Sequence, residues 1–183
     1  MNPAENKGEY IMLRLILPSP EYKNQIMEYR EEFFRNGDVL HGTGGLEKAE
    51  SFEAWYEKWK RMGDEKTVPE GLVPSTTFLA IDEDNQLVGM IDLRHRLNDV
   101  LLQRSGHIGY SVRKSRRRKG YATEMLRLAL VEAGKRGIRK VLVTCDKENI
   151  GSARTIQKNG GILENEIRDG EEVVQRYWIS LAY

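Results

Sequence analysis

The feature that most constrains this chain is a strand, a basic glycine turn and a long helix, followed at once by another strand. Ile108, Tyr110 and Val112 alternate with His107, Gly109 and Ser111 over His107–Arg113, the period of a half-buried strand. RRRKGYATEM, Arg116–Met125, then opens a helix reaching to about Gly137. Ala122, Met125, Leu126, Ala129 and Ala133 share one face of it, while Glu124, Arg127, Glu132 and Arg136 stay wet. IRKVLVTC, Ile138–Cys145, is β-branched and mostly apolar, as a buried strand requires. Strand, helix and strand inside ~40 residues make a crossover between parallel strands. Any fold for this chain must contain that unit.

Around it the sequence reads as an α+β protein with one domain over residues 1–183, long enough for one sizeable core and short for two. Residues 1–9 are polar and read as a tail. Ile11 to Leu17 read as a strand ended by Pro18 and Pro20. Glu21 to Phe34 follow at helical spacing, stopped by Asn36-Gly37, and HGTGG, His41–Gly45, reads as a flexible loop. A second helix from about Ser51 to Met62 carries Phe52, Trp55, Tyr56, Trp59 and Met62 on one face. Such an aromatic stripe packs a core or walls a pocket, and it can do both. Thr76–Ile81 and Leu87–Arg94 form a hairpin around Asp82–Gln86. Ile150–Lys158 form a short helix, and Ile162–Arg168 and Val173–Leu181 are two closing strands.

Composition narrows the function classes. Lys plus Arg number 29 against 28 Asp plus Glu, a net charge of +1, so only a local cluster argues for polyanions and a dedicated nucleic-acid binder is disfavoured. The bases of that cluster also lack interleaved aromatics. The longest N-terminal apolar run, Ile11–Pro18, is interrupted by Arg14 and is far too short to span a membrane. With one cysteine, Cys145, no internal disulfide framework exists, and no Cys/His spacing suggests a metal site. A reducing, cytoplasmic location is the default expectation.

The basic turn is the chemical signal. A strand, then RRKGYA, then a helix sets several free backbone N–H groups at a helix N-terminus, where orphan amides and the dipole favour an anion. Gly120 permits close approach of a phosphate, Ala122 is small, and Arg113, Lys114, Arg116, Arg117, Arg118 and Lys119 add a positive rim. No GxxxxGK[ST] and no post-strand GxGxxG compete for the role.

Arg117-Arg118-Lys119-Gly120-Tyr121-Ala122 resembles the R/Q-x-x-G-x-G/A signature of the GNAT acyl-CoA N-acyltransferases. The preceding IGYSVRKS looks like that family's fourth strand, and Val141–Gly161 is similar to its fifth strand, Asn-bearing turn and fourth helix. The likeness covers residues 76–182 well and the N-terminal third loosely; GMIDLRHRLN and QRYWISL look like a bacterial subgroup. It implies a mixed, mostly antiparallel sheet with helices on both faces and a βαβ acyl-CoA core, residues 10–75 serving the acceptor side and 76–183 the acetyl-CoA side. It implies acetyl-CoA as co-substrate, no metal, and a small-molecule or peptide amine as acceptor. Dimers are common in this fold. Arg117, Arg118, Lys119, Gly120, Tyr121, Ala122 and Thr123 would meet the pyrophosphate, chiefly through the amides of Arg118, Gly120, Ala122 and Thr123. Val112 would pair with pantetheine and lend its N–H to the thioester carbonyl, and Asn149 would touch the pantetheine arm.

Direct attack by an amine needs a neutral amine, an oxyanion donor and a proton for the leaving thiolate. The family's usual acid, a Tyr, falls here on Ile156, which leaves Tyr110, Ser152 or water for that role. Asp92, on a strand face with Met90 and Arg94, reads as the general base or as the partner of Arg94 in an ion pair. His95 and His107 are further candidates, Cys145 reads as a structural thiol, and the Trp55, Tyr56 and Trp59 region is expected over the acceptor site. The competing reading is a non-catalytic acyl-CoA-sensing module using the same turn.

Overall fold

A computed structural model describes residues 11–182; the expected tail over 1–9 lies outside them. Strands β1 (Leu13–Ile16), β2 (Ser75–Asp82), β3 (Leu87–Arg94), β4 (Ile108–Val112), β5 (Lys140–Asp146), β6 (Ile162–Asp169) and β7 (Glu172–Ser180) form one sheet in the order β1-β2-β3-β4-β5-β7-β6. Every neighbouring pair is antiparallel except β4 and β5. That parallel pair is the one the crossover demanded, and helix α3 (Tyr121–Lys135) makes the connection.

Helices cover both faces, because β2 and β3 are buried on both sides and supply apolar residues to each. On one face α3 and α4 (Ile150–Lys158) pack Met125, Leu126, Ala129, Ala153 and Ile156 against Phe78, Ala80, Val88, Ile91 and Val143. On the other, α1 (Lys23–Asn36) and α2 (Phe52–Met62) pack Ile26, Tyr29, Phe33, Phe52 and Trp55 against Leu79, Ile81, Leu87 and Met90. Ser51 caps α2 by accepting from the Ala54 amide at 3.1 Å, and Gly37 ends α1 in the left-handed region.

The seam between β4 and β5 positions the site. The two strands share one registered pair, Ile108 with Val143, beside a bond from the His107 amide to the Leu142 carbonyl at 2.7 Å. Beyond that point they diverge. The segment before β4, where no element was expected, contains a π-helical turn at Leu101–Ser105.

The candidate active site

A cleft of about 820 Å³ opens where β4 leaves β5, lined by Tyr110, Val112, the basic turn and the first turns of α3 and α4. Gly120 is the N-cap of α3 with φ of 83°, and it offers no side chain to cap the helix. A Cβ there would come 2.5 Å from Ile11 Cδ1, so glycine answers both the backbone angle and the space. Arg118 is also left-handed, with φ of 61°. Among the described residues the first amides of α3 have neither an intrahelical partner nor a capping side-chain oxygen, and Gly120, Tyr121, Ala122 and Thr123 line the cleft. These residues fit a pyrophosphate.

The basic rim divides in two. Arg113 is held by Glu32 at 2.6 Å, and Glu32 also accepts from the Ser115 amide and hydroxyl. Burial pushes the Glu32 carboxyl up, but those three donors outweigh it and hold it below its ordinary value. Arg116 pairs with Asp82 at 3.4 Å. Arg117 pairs with Asp38 at 2.8 Å, donates from Nε to the Val112 carbonyl at 2.9 Å and lies over the Phe33 ring. These arginines pin the turn to α1 and β2. The cations on the cleft wall with no ion pair among the described residues are Arg118 from the turn and Arg154 and Lys158 from α4. Arg154 and Lys158 lie outside the basic-turn signature, and their signal in the sequence is the i,i+4 spacing on a helix just after the Asn149 turn. Lys114 and Lys119 do not line the cleft.

β4 carries Val112, the residue expected to serve as oxyanion donor. The Arg113 amide bonds the Val88 carbonyl at 3.0 Å, and Val112 stands opposite Gly89. By antiparallel alternation, Val112's own N–H points to the other edge, where β5 has departed. The same peptide group is held from behind, since the buried Tyr29 hydroxyl donates to the Ser111 carbonyl at 2.9 Å. The Ser111 hydroxyl in turn donates to the His41 carbonyl at 2.6 Å.

A second cleft of about 440 Å³ shares Val39, His41, Tyr110, Asn149 and Ser152 with the first. At this junction the Tyr110 and Ser152 hydroxyls lie 2.7 Å apart. Burial pushes the Tyr110 phenol up to about 12, so it stays protonated and can only give a proton near neutrality. Asn149 caps α4 through Oδ1 to the Ser152 amide at 3.0 Å, which fixes Ser152 beneath Tyr110. Ile156 is fully buried in the core. Cys145 lines the second cleft with its thiol pushed up to about 11 by burial, no nucleophile at neutral pH.

Several expected residues stand elsewhere. Asp92 lines neither cleft; it accepts from the Thr77 hydroxyl at 2.8 Å and lies 3.9 Å from Arg94 Nε, the ion-pair alternative. His107 is buried, and its Nδ1 accepts from the Leu142 amide at 2.9 Å. Burial first, then the Arg94 charge, pull its pKa down to about 4. His95 bonds Thr76 at 2.8 Å. Of the three histidines only His41 lines the clefts. Trp55, Tyr56 and Trp59 line neither cleft: Trp55 is buried and donates to the Thr43 carbonyl, Trp59 to that of Thr77. The stripe serves the core. The HGTGG loop it supports lies against β4, because a Cβ on Gly42 would collide with the Gly109 backbone.

A mixed sheet split at its one parallel pair, with a glycine-capped helix N-terminus and a basic turn at the split, is an N-acetyltransferase fold. Residues 14–162 match the Acetyltransferase (GNAT) domain family, and the chain belongs to it. It is 25% identical over 176 residues to the uncharacterized N-acetyltransferase YjdG of Bacillus subtilis, covering 96% of this chain and 77% of that protein. Among solved structures, the microcin C7 self-immunity acetyltransferase MccE, in complex with acetyl-CoA and AMP, superposes with a TM-score of 0.70 at 14% identity, over 93% of each chain. The spermidine/spermine N-acetyltransferase SpeG of Vibrio cholerae gives 0.64 at 18%, over 92% of this chain and 94% of that one. Among the described residues no cluster of His, Cys, Asp and Glu could hold a metal, and no helix is long and apolar enough to cross a membrane.

Proposed function

We propose that this protein moves an acetyl group from acetyl-CoA to a primary amine by direct attack in a ternary complex. The observation that carries the reading is the meeting of two clefts at Tyr110 and Ser152, one lined by the pyrophosphate turn and the other empty of it. The amides of Arg118, Gly120, Ala122 and Thr123 hold the pyrophosphate, with Arg154 and Lys158 as charge partners from the facing helix. Val112 and Asn149 hold the pantetheine arm. The Val112 N–H donates to the thioester carbonyl, and Tyr29, bonded to the carbonyl of that same peptide, polarises the donor.

The amine nitrogen bonds to the acetyl carbon and the C–S bond breaks. The leaving thiolate takes its proton from Tyr110, which Ser152 keeps oriented and recharges from solvent. The proton lost by the amine passes to His41 or to water. The general-base role expected of Asp92 is not carried forward, since its carboxylate lies behind the cleft wall.

Acetyl-CoA should raise the melting temperature, and release of free CoA thiol should follow addition of amines from a broad panel. No thermal shift at millimolar acetyl-CoA would remove the reading. A shift without thiol release from any amine would favour the acyl-CoA-sensing module instead. Arg154→Glu with Lys158→Glu should weaken the shift.

A further inference from the structure

We infer that Arg94 anchors the acceptor, and that the second cleft takes a small amine carrying a carboxylate. The inference rests on the acetyl-transfer reading above and adds the substrate class. The Arg94 side chain lines this cleft and is only 23% exposed. Its guanidinium is held from behind: Nη1 donates to the Ser105 and Gly106 carbonyls at 3.2 and 3.0 Å, and Nε faces Asp92 at 3.9 Å. Asp92 is itself fixed by Thr77, whose carbonyl receives the Trp59 indole at 3.1 Å. Nη2 makes no hydrogen bond within the described residues. It lies beside Gly109, whose absent side chain leaves 3.9 Å between Nη2 and the place of a Cβ, and both residues line the cleft.

The other charges on this wall are different in kind. Arg104 pairs with Asp169 and Glu172 at the exposed rim, and Asp146 is exposed. Arg94 is therefore the half-buried cation of this cleft, its Nη1 and Nε tied back and its Nη2 without a hydrogen bond among the described residues. A planar, preorganised guanidinium is suited to a carboxylate. A purely cationic acceptor such as a polyamine would meet a like charge there. The cleft's 440 Å³ suits a small molecule or a peptide end. Asp92, expected as a base, becomes the positioning residue for Arg94.

The test is thiol release at fixed acetyl-CoA from amino acids and their carboxamides, and from dipeptides and their C-terminal amides. Acids should exceed their matched amides in kcat/KM by about tenfold or more. Preference for one series tells whether the carboxylate belongs to a free amino acid or a peptide. Arg94→Gln should bring the acid-to-amide ratio near one, chiefly by raising KM for the acid, while the acetyl-CoA melting shift stays. Arg94→Lys should keep part of the preference, and Asp92→Asn should lower it. Equal or better use of amides by the wild-type protein would overturn the inference, with no variant needed. So would an undiminished ratio in Arg94→Gln, or acetyl-CoA binding with no acid turned over. A missing acetyl-CoA shift would instead overturn the acetyl-transfer reading and this one with it.

Discussion

Tyr110 and Ser152 stand 42 positions apart in sequence yet share a hydrogen bond where the clefts join, so their contributions to rate should be coupled. Tyr110→Phe and Ser152→Ala should each lower kcat, Tyr110→Phe by roughly 10²-fold, and the double variant should fall little below the worse single one. Strict additivity in a double-mutant cycle would show that they act separately. Tyr29→Phe probes the proposed oxyanion donor, the Val112 amide, from behind. It should lower kcat several-fold, leave acetyl-CoA affinity nearly unchanged, and move the infrared carbonyl stretch of bound acetyl-CoA back toward its solution value. A purely structural tyrosine would change stability, at about 1 kcal/mol for a lost hydrogen bond, without moving that band. His107 supplies a pH dependence. Its folded-state pKa of about 4 lies below the ordinary 6.5, so the unfolded chain binds the proton first as pH falls. Stability from this group is complete above pH 6.5 and is lost on descending to pH 4, by on the order of 3 kcal/mol. Melting temperature against pH should show that loss in the wild-type protein and a shallower one in His107→Gln.

At the scale of elements, the ties between α1 and the basic turn matter most. Glu32 and the side chain of Arg113 are 13% and 11% exposed, and Glu32 also holds Ser115. Glu32→Ala should cost about 2–3 kcal/mol by urea unfolding and should weaken acetyl-CoA binding, although residue 32 lies outside both clefts. Most elements were legible because their patterns are strong. The helix at Ile150–Lys158 agrees with expectation at both ends, since the Asn149 cap and Gly160-Gly161 bracket it. β1 is shorter than Ile11–Leu17, running from Leu13 to Ile16. The π turn at Leu101–Ser105 has no periodic signature; it follows a local bond from the Leu101 amide to Asn98 Oδ1 and contacts to distant β5. The destinations of the arginines were equally hidden. A run of bases is visible in one dimension, but Glu32, Asp38 and Asp82, which neutralise half of it, lie 34 or more positions upstream. The same limit misplaced Asp92, whose burial behind Arg94 depends on Thr77 from a neighbouring strand.

Over the whole molecule, the crossover made a parallel pair legible, but not the order β5-β7-β6, since a hairpin joins β6 to β7 without deciding which of them meets β5. The divergence of that pair was not readable, because it rests on the few bonds near His107 and Ile108 rather than on any residue type. The sheet consequently consists of two leaves, β1–β2–β3–β4 and β5–β7–β6, stitched at one end and bridged by α3 and α4. An open book of this kind is stiffened by whatever is shut inside it. Amide exchange at Tyr110 and Val112 should be fast in the free protein and should slow once acetyl-CoA lies along their exposed edge, with β2 and β3 unaffected. The ligand would then act as the missing strand of the sheet, and the protein's rigidity would report whether its donor is loaded before an acceptor arrives.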